Sequence, residues 1–121
     1  MMRLGTLVLA GLLLAFAIGF SPKKANGEEY REKGWEIPNL AGRKPEVTKY
    51  DKDEGFKMEV FMGTEKGNIA ISSKNGEIYA FFFDDDMDGL SDYCIVDNDR
   101  DGKFETKYHR GEKWSIPEWA R

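Results

Sequence analysis

The chain has 121 residues, 18 Lys and Arg against 22 Asp and Glu, and one cysteine, Cys94. That length suits one small domain, and a lone cysteine excludes an internal disulfide. A net charge of −4, with the acids clustered, argues against nucleic acid and anionic membrane surfaces as partners.

The first predicted element is a targeting segment. Arg3 is the one charge in residues 1–20, and the apolar run Leu7–Phe20 follows it. A positive start and an apolar stretch of that length predict a secretory signal peptide. The run is short for a spanning helix, which needs roughly 20 apolar residues. Small residues mark two cuts, Ala25/Gly27 and Ala17/Gly19, and the composition shift favours Gly27. An uncleaved membrane anchor is the alternative. Removing residues 1–27 takes Arg3, Lys23 and Lys24 and no acid, so 22 acidic residues then face 15 basic ones. Export places the protein in the periplasm or outside the cell, with no membrane span after cleavage.

Residues 28–46 read as an extended or irregular segment. Glu28 to Lys33 is polar and predicts a short helix or a frayed end. Pro38, Gly42 and Pro45 break regular structure in the stretch that follows. Trp35, Ile37 and Leu40 are the expected pins onto a core.

The expected domain, 47–121, is mainly β. "YDKDEGFKME" from Tyr50 lacks a third aspartate of calcium-loop spacing and reads as a plain turn. "GFKMEVFMG" sets Phe56, Met58, Val60 and Met62 on one face of a half-buried strand. "NIAISS" from Asn68 is a short strand, and Asn75-Gly76 predicts a type I′ hairpin turn, which needs positive φ at both positions. "EIYAFFF", Glu77 to Phe83, is apolar on both faces and suits a central strand. "SDYCIV" and "KFETKYH" complete an antiparallel sheet or meander of about five or six strands. The flanks of Cys94 predict a buried thiol serving as a small apolar group.

Trp-x-Ile-Pro occurs twice, at Trp35–Pro38 and Trp114–Pro117, with Trp119 close behind. Two readings apply. Each tryptophan anchors a chain end on the core edge, or together they form a surface for a protein or glycan.

The acids carry the chemistry. Asp84 to Glu105 holds nine of the 22 acidic residues, opposed by Arg100 and Lys103. "DDDMDGLSD" (Asp84 to Asp92) aligns with "DNDRDGKFE" (Asp97 to Glu105) at a constant 13-residue offset. The common pattern is D-x-D-x-D-G-x-x-[DE]. Asp84, Asp86 and Asp88 match Asp97, Asp99 and Asp101, Gly89 matches Gly102, and Asp92 matches Glu105. Calcium takes six to eight hard oxygens at about 2.3–2.6 Å, and alternate carboxylates of a curled loop converge on one centre. The carbonyls of Leu90 and Lys103 at position seven add an oxygen, and Asp92 and Glu105 close the sites directly or through water. Without a counter-charge such loops repel themselves. Magnesium, with its tighter octahedral demand, suits them less.

These residues resemble the calcium loops of EF-hands, dockerins, thrombospondin type 3 repeats and integrin-type propellers. The resemblance covers about 22 residues and implies an ion, Ca²⁺, rather than a fold. The bidentate glutamate that EF-hands carry at position 12 is replaced by Ile95 and Tyr108, which implies weak sites, on the order of 10⁻⁴–10⁻³ M. Turns at opposite ends of a meander strand predict two separate sites. If the segment coils instead, the ions lie closer together.

"FFFDDDMDGLSDY" also resembles the nucleophile loop of haloacid-dehalogenase-type phosphatases, with Asp86 as nucleophile. The chain after Asp92 holds no βαβ unit, and that reading leaves the second acidic copy unexplained. A small metal-dependent hydrolase would need a base, and His109 is the only histidine. One His and one Cys argue against zinc. The sequence therefore predicts an exported, non-enzymatic calcium-binding β module with a structural or recognition role at the cell envelope or beyond. A glycan- or protein-binding module built on the tryptophans is the alternative.

Overall fold

The computed structural model describes residues 29–121, so the expected signal peptide lies outside the described residues. The described chain is mainly β. Its strands are β1 (Glu29–Tyr30), β2 (Val47–Asp51), β3 (Phe56–Thr64), β4 (Gly67–Lys74), β5 (Glu77–Asp84), β6 (Tyr93–Val96) and β7 (Thr106–His109), followed by a short 3₁₀ turn at Glu118–Ala120. They form one antiparallel sheet in the order β1-β7-β6-β5-β4-β3-β2. From β2 to β7 every strand pairs with the next, so the sheet is a meander. β1 returns to the edge of β7.

Seven strands stand where about five or six were expected, and the two not predicted from the sequence, β1 and β2, are both edges. β1 replaces the helix or frayed end expected at its position, pairing Glu29 with Lys107 and Tyr30 with Thr106. β2 is polar and mostly exposed, so it shows no apolar alternation. The turn after it is the plain turn expected: Asp51 is buried, and its Oδ1 accepts the Asp53 N–H at 3.1 Å.

Period-two alternation divides β5 between two cores. One ladder runs Val60–Ala70–Phe82–Cys94 across β3 to β6, and the next runs Phe61–Ile69–Phe83–Tyr93. The first face gathers Met58, Val60, Ala70, Ala80, Phe82, Cys94 and Val96. The second gathers Phe61, Ile69, Ile71, Phe81, Phe83, Ile95 and Phe104. Burial of both faces explains why β4 and β5 carry near-continuous apolar runs. Met62 departs from expectation: it is 45 % exposed, while Phe61 turns to the second core.

Each Trp-x-Ile-Pro segment covers one face. Trp114, Ile116 and Trp119 pack on the first core, Trp114 edge-on to Phe82 at 5.0 Å between ring centroids. Trp35 and Leu40 pack on the second. Ile37, expected as a pin, is instead exposed. All three tryptophans are half-buried. Cys94 is wholly buried and its thiol is pushed well up by desolvation, as expected of an inert apolar filler.

Two backbone details aim the acidic turns. Asn75 and Gly76 take φ of 50° and 87°, giving the tight β4–β5 hairpin. A register shift between Ser72 and Ser73 leaves Tyr79 without a β4 partner, and the Tyr79 carbonyl accepts the Asp97 N–H at 3.0 Å. At the other end of β5, Gly67 lies so close that an added Cβ would sit 2.3 Å from the Asp84 carbonyl oxygen. A glycine there lets the β3–β4 turn press against the start of the first acidic loop.

Candidate metal centres

The two acidic stretches are the β5–β6 and β6–β7 turns, so they lie at opposite ends of β6 (Tyr93–Val96). The regular meander keeps them apart, on the order of 10 Å along the strand at about 3.3 Å per residue.

Their local geometry is the same twice. In the first loop, Asp84 Oδ1 accepts the Asp88 N–H at 3.1 Å and Oδ2 accepts the Gly89 N–H at 2.8 Å. In the second, Asp97 Oδ1 accepts the Asp101 N–H at 3.2 Å and Oδ2 accepts the Gly102 N–H at 2.9 Å. Asp88 caps the Leu90 N–H at 3.0 Å, and Asp101 caps the Lys103 N–H at 2.9 Å. Position four is left-handed in both, Met87 at φ 56° and Arg100 at 61°, as is the glycine at position six, 92° and 84°. Asp84 and Asp97 are buried and anchor their loops, while Asp86, Asp88, Asp99 and Asp101 are exposed.

Carboxylate oxygens converge in each. Those of Asp84, Asp86 and Asp88 lie within 4.8 Å of one another, and so do those of Asp97, Asp99, Asp101 and Glu105. One oxygen from each of these carboxylates could reach a single metal ion.

The loops differ in how they close. Glu105, 6 % exposed, joins the second cluster. Asp92, its counterpart by alignment, does not join the first. Its Oδ2 accepts the Asp85 N–H at 2.8 Å and its Oδ1 accepts Arg110 Nη2 at 2.7 Å. Arg110 also donates to the Leu90 carbonyl at 3.0 Å, an oxygen the sequence assigned to an ion. Arg110 went unnoticed in the sequence because it lies outside the 13-residue repeat. Only the β6–β7 register, with His109 opposite Tyr93, brings it back to the first loop.

Electrostatics reflect the crowding. Desolvation, then a hydrogen bond with Asp101 and the charges of Asp99 and Asp101, push Glu105 from 4.5 up to about 7. Desolvation and the neighbouring acids also raise Asp99, whereas the Lys103 N–H holds Asp101 below its ordinary value. In the first loop desolvation raises Asp84, and the Leu90 N–H lowers Asp88. A bound cation would favour the charged form of Glu105 against the desolvation and neighbouring acids that raise it.

His109 belongs to neither cluster. Its Nε2 lies 2.7 Å from Glu29 Oε1, at the β1–β7 edge. Arg100, in the second loop, is held outward by an ion pair with Glu77 and lies over the Trp119 ring. The Trp119 indole N–H donates to the Asp97 carbonyl at 2.7 Å, tying the C-terminal segment to the second loop.

Among the described residues no helix is long and apolar enough to cross a membrane. Comparisons with family models, curated proteins and solved structures find no match to this chain.

Proposed function

We propose that this chain is an exported, non-enzymatic calcium-binding β module, in which Ca²⁺ bound at one or both acidic turns rigidifies a small sheet for a structural or recognition role at the cell envelope or outside the cell. The observation that carries this reading is the second loop: four carboxylates, Asp97, Asp99, Asp101 and Glu105, with oxygens within 4.8 Å of one another. Calcium is the favoured ion because the donors are all carboxylate oxygens on a loop, which suits its flexible, roughly six- to eight-fold coordination better than magnesium's tight octahedron. A mature domain of this size without a disulfide has a limited core, and an ion bound by the folded state alone adds stability by mass action.

Glu105 supplies the test. Its raised value, about 7 against an ordinary 4.5, favours the protonated folded form. In the metal-free protein its contribution is therefore fully present below about pH 4.5 and is lost as pH rises through about 7. Calcium needs the carboxylate, so binding displaces that proton. Calorimetric titration should show Ca²⁺ affinity weakening about tenfold per unit as pH falls below 7, and levelling above about pH 8. In buffers of different ionisation enthalpy at pH 6.5, the heats should report proton release. Affinity unchanged between pH 5.5 and 8 would contradict a site that includes Glu105.

A further inference from the structure

We infer that the two loops have divided roles: Arg110 is the resident cation of the first loop, and only the second takes calcium at millimolar concentration. This rests on the calcium reading of the second loop proposed above. Arg110 follows β7, where its own N–H donates to the Asp92 carbonyl at 3.0 Å. Its Nε donates to the Ser91 carbonyl at 3.0 Å, and its Nη2 donates to the Leu90 carbonyl at 3.0 Å and to Asp92 Oδ1 at 2.7 Å. The same Nη2 lies 3.6 Å from Asp88 Oδ1.

The guanidinium thus holds the seventh-position carbonyl and the ninth-position carboxylate of the first loop, and stands beside the fifth-position carboxylate. Those are three of the five donors the loop pattern offers a metal. An ion among Asp84, Asp86 and Asp88 would have a fixed positive charge within a few ångströms and would lack its closing ligands. The second loop differs on each count. The Lys103 carbonyl accepts no hydrogen bond among the described residues, and Glu105 faces Asp97, Asp99 and Asp101. Arg100, the nearest arginine in sequence, is turned to Glu77. A planar fork of donors suits this substitution, because it reaches two carbonyls and a carboxylate at once, which a lysine ammonium does not match.

The test counts calcium per chain by calorimetry and reads the loops separately by ¹⁵N NMR. The wild-type protein should bind one Ca²⁺ in the millimolar range, shifting the Gly102 amide while the Gly89 amide stays in place. Arg110→Gln should bind two, the new site shifting Gly89. Glu105→Gln should weaken the wild-type site at least tenfold and leave the Arg110→Gln site intact in the double variant. Two sites of similar affinity in the wild type, or a Gly89 shift matching that of Gly102, would overturn the division of roles and leave the calcium reading standing. A folded Arg110→Gln protein that binds one ion would do the same. No binding in the wild type or any variant would remove the calcium reading itself, and this inference with it. The wild-type Gly89 and Gly102 shifts decide the question even if Arg110→Gln does not fold.

Discussion

Asp97→Ala should abolish calcium binding at the second loop and cost the metal-free protein about 2–4 kcal/mol, read by urea denaturation in EDTA. Asp97 is 2 % exposed, and its carboxylate accepts the Asp101 and Gly102 N–H groups at 3.2 and 2.9 Å. Alanine removes two hydrogen bonds to a charged acceptor, each worth about 1.5–3 kcal/mol before the exposed turn lets water replace part of the loss. Its main chain stays fixed by Tyr79 and Trp119 at either side, so the loop cannot easily relax around the loss. The contrast is Asp99→Asn. Asp99 is exposed and surrounded by acids, so this change should also remove calcium binding yet leave metal-free stability unchanged or slightly higher. Equal destabilisation by both variants would mean that Asp99 supports the turn rather than an ion.

Phe82→Ala should destabilise by about 3–5 kcal/mol, a large part of the roughly 5–15 kcal/mol total of an ordinary domain. Phe82 is fully buried at the centre of the sheet, between Ala70 on β4 and Cys94 on β6. Both neighbours are small, so little can collapse into the space. The lost ring is also the platform for Trp114, and with it the C-terminal segment that covers the first face and donates to Asp97 through Trp119. Calcium affinity should therefore weaken along with stability, through the C-terminal segment that Trp119 ties to Asp97. Denaturation followed by tryptophan fluorescence checks the first effect and calorimetry the second. Phe81→Ala makes a useful comparison, since Phe81 faces the other core, edge-on to Phe104 next to Glu105.

Much of this was legible in the chain. Strand alternation, the Asn75-Gly76 turn and the two-faced apolar run of Glu77 to Phe83 are local signals, and each appears in the sheet as read. The acidic repeat was legible because a loop that curls round a centre fixes its spacing within itself. What was not legible depends on partners distant in sequence. β2 is an edge whose residues point mostly to water, so it has no pattern to show. Met62 follows the alternation yet emerges into solvent, within the register irregularity of β3 between Phe61 and Thr64. Asp92 fits the motif by letter but is claimed by Arg110, 18 residues on, through the pairing of β6 with β7. The Tyr79 bulge, which turns Asp97 inward, has no signature in the residues themselves.

The most direct test of calcium as the ligand is thermal unfolding at pH 7.5 in EDTA, in about 10 mM Mg²⁺ and in about 10 mM Ca²⁺. With a dissociation constant of about 10⁻⁴–10⁻³ M, calcium should add about 1.4–2.7 kcal/mol and raise Tm by roughly 5–20 °C. Magnesium should raise it far less, and Glu105→Gln should remove most of the calcium effect. A Tm identical in EDTA and calcium, with no heat of binding, would contradict a calcium-binding module.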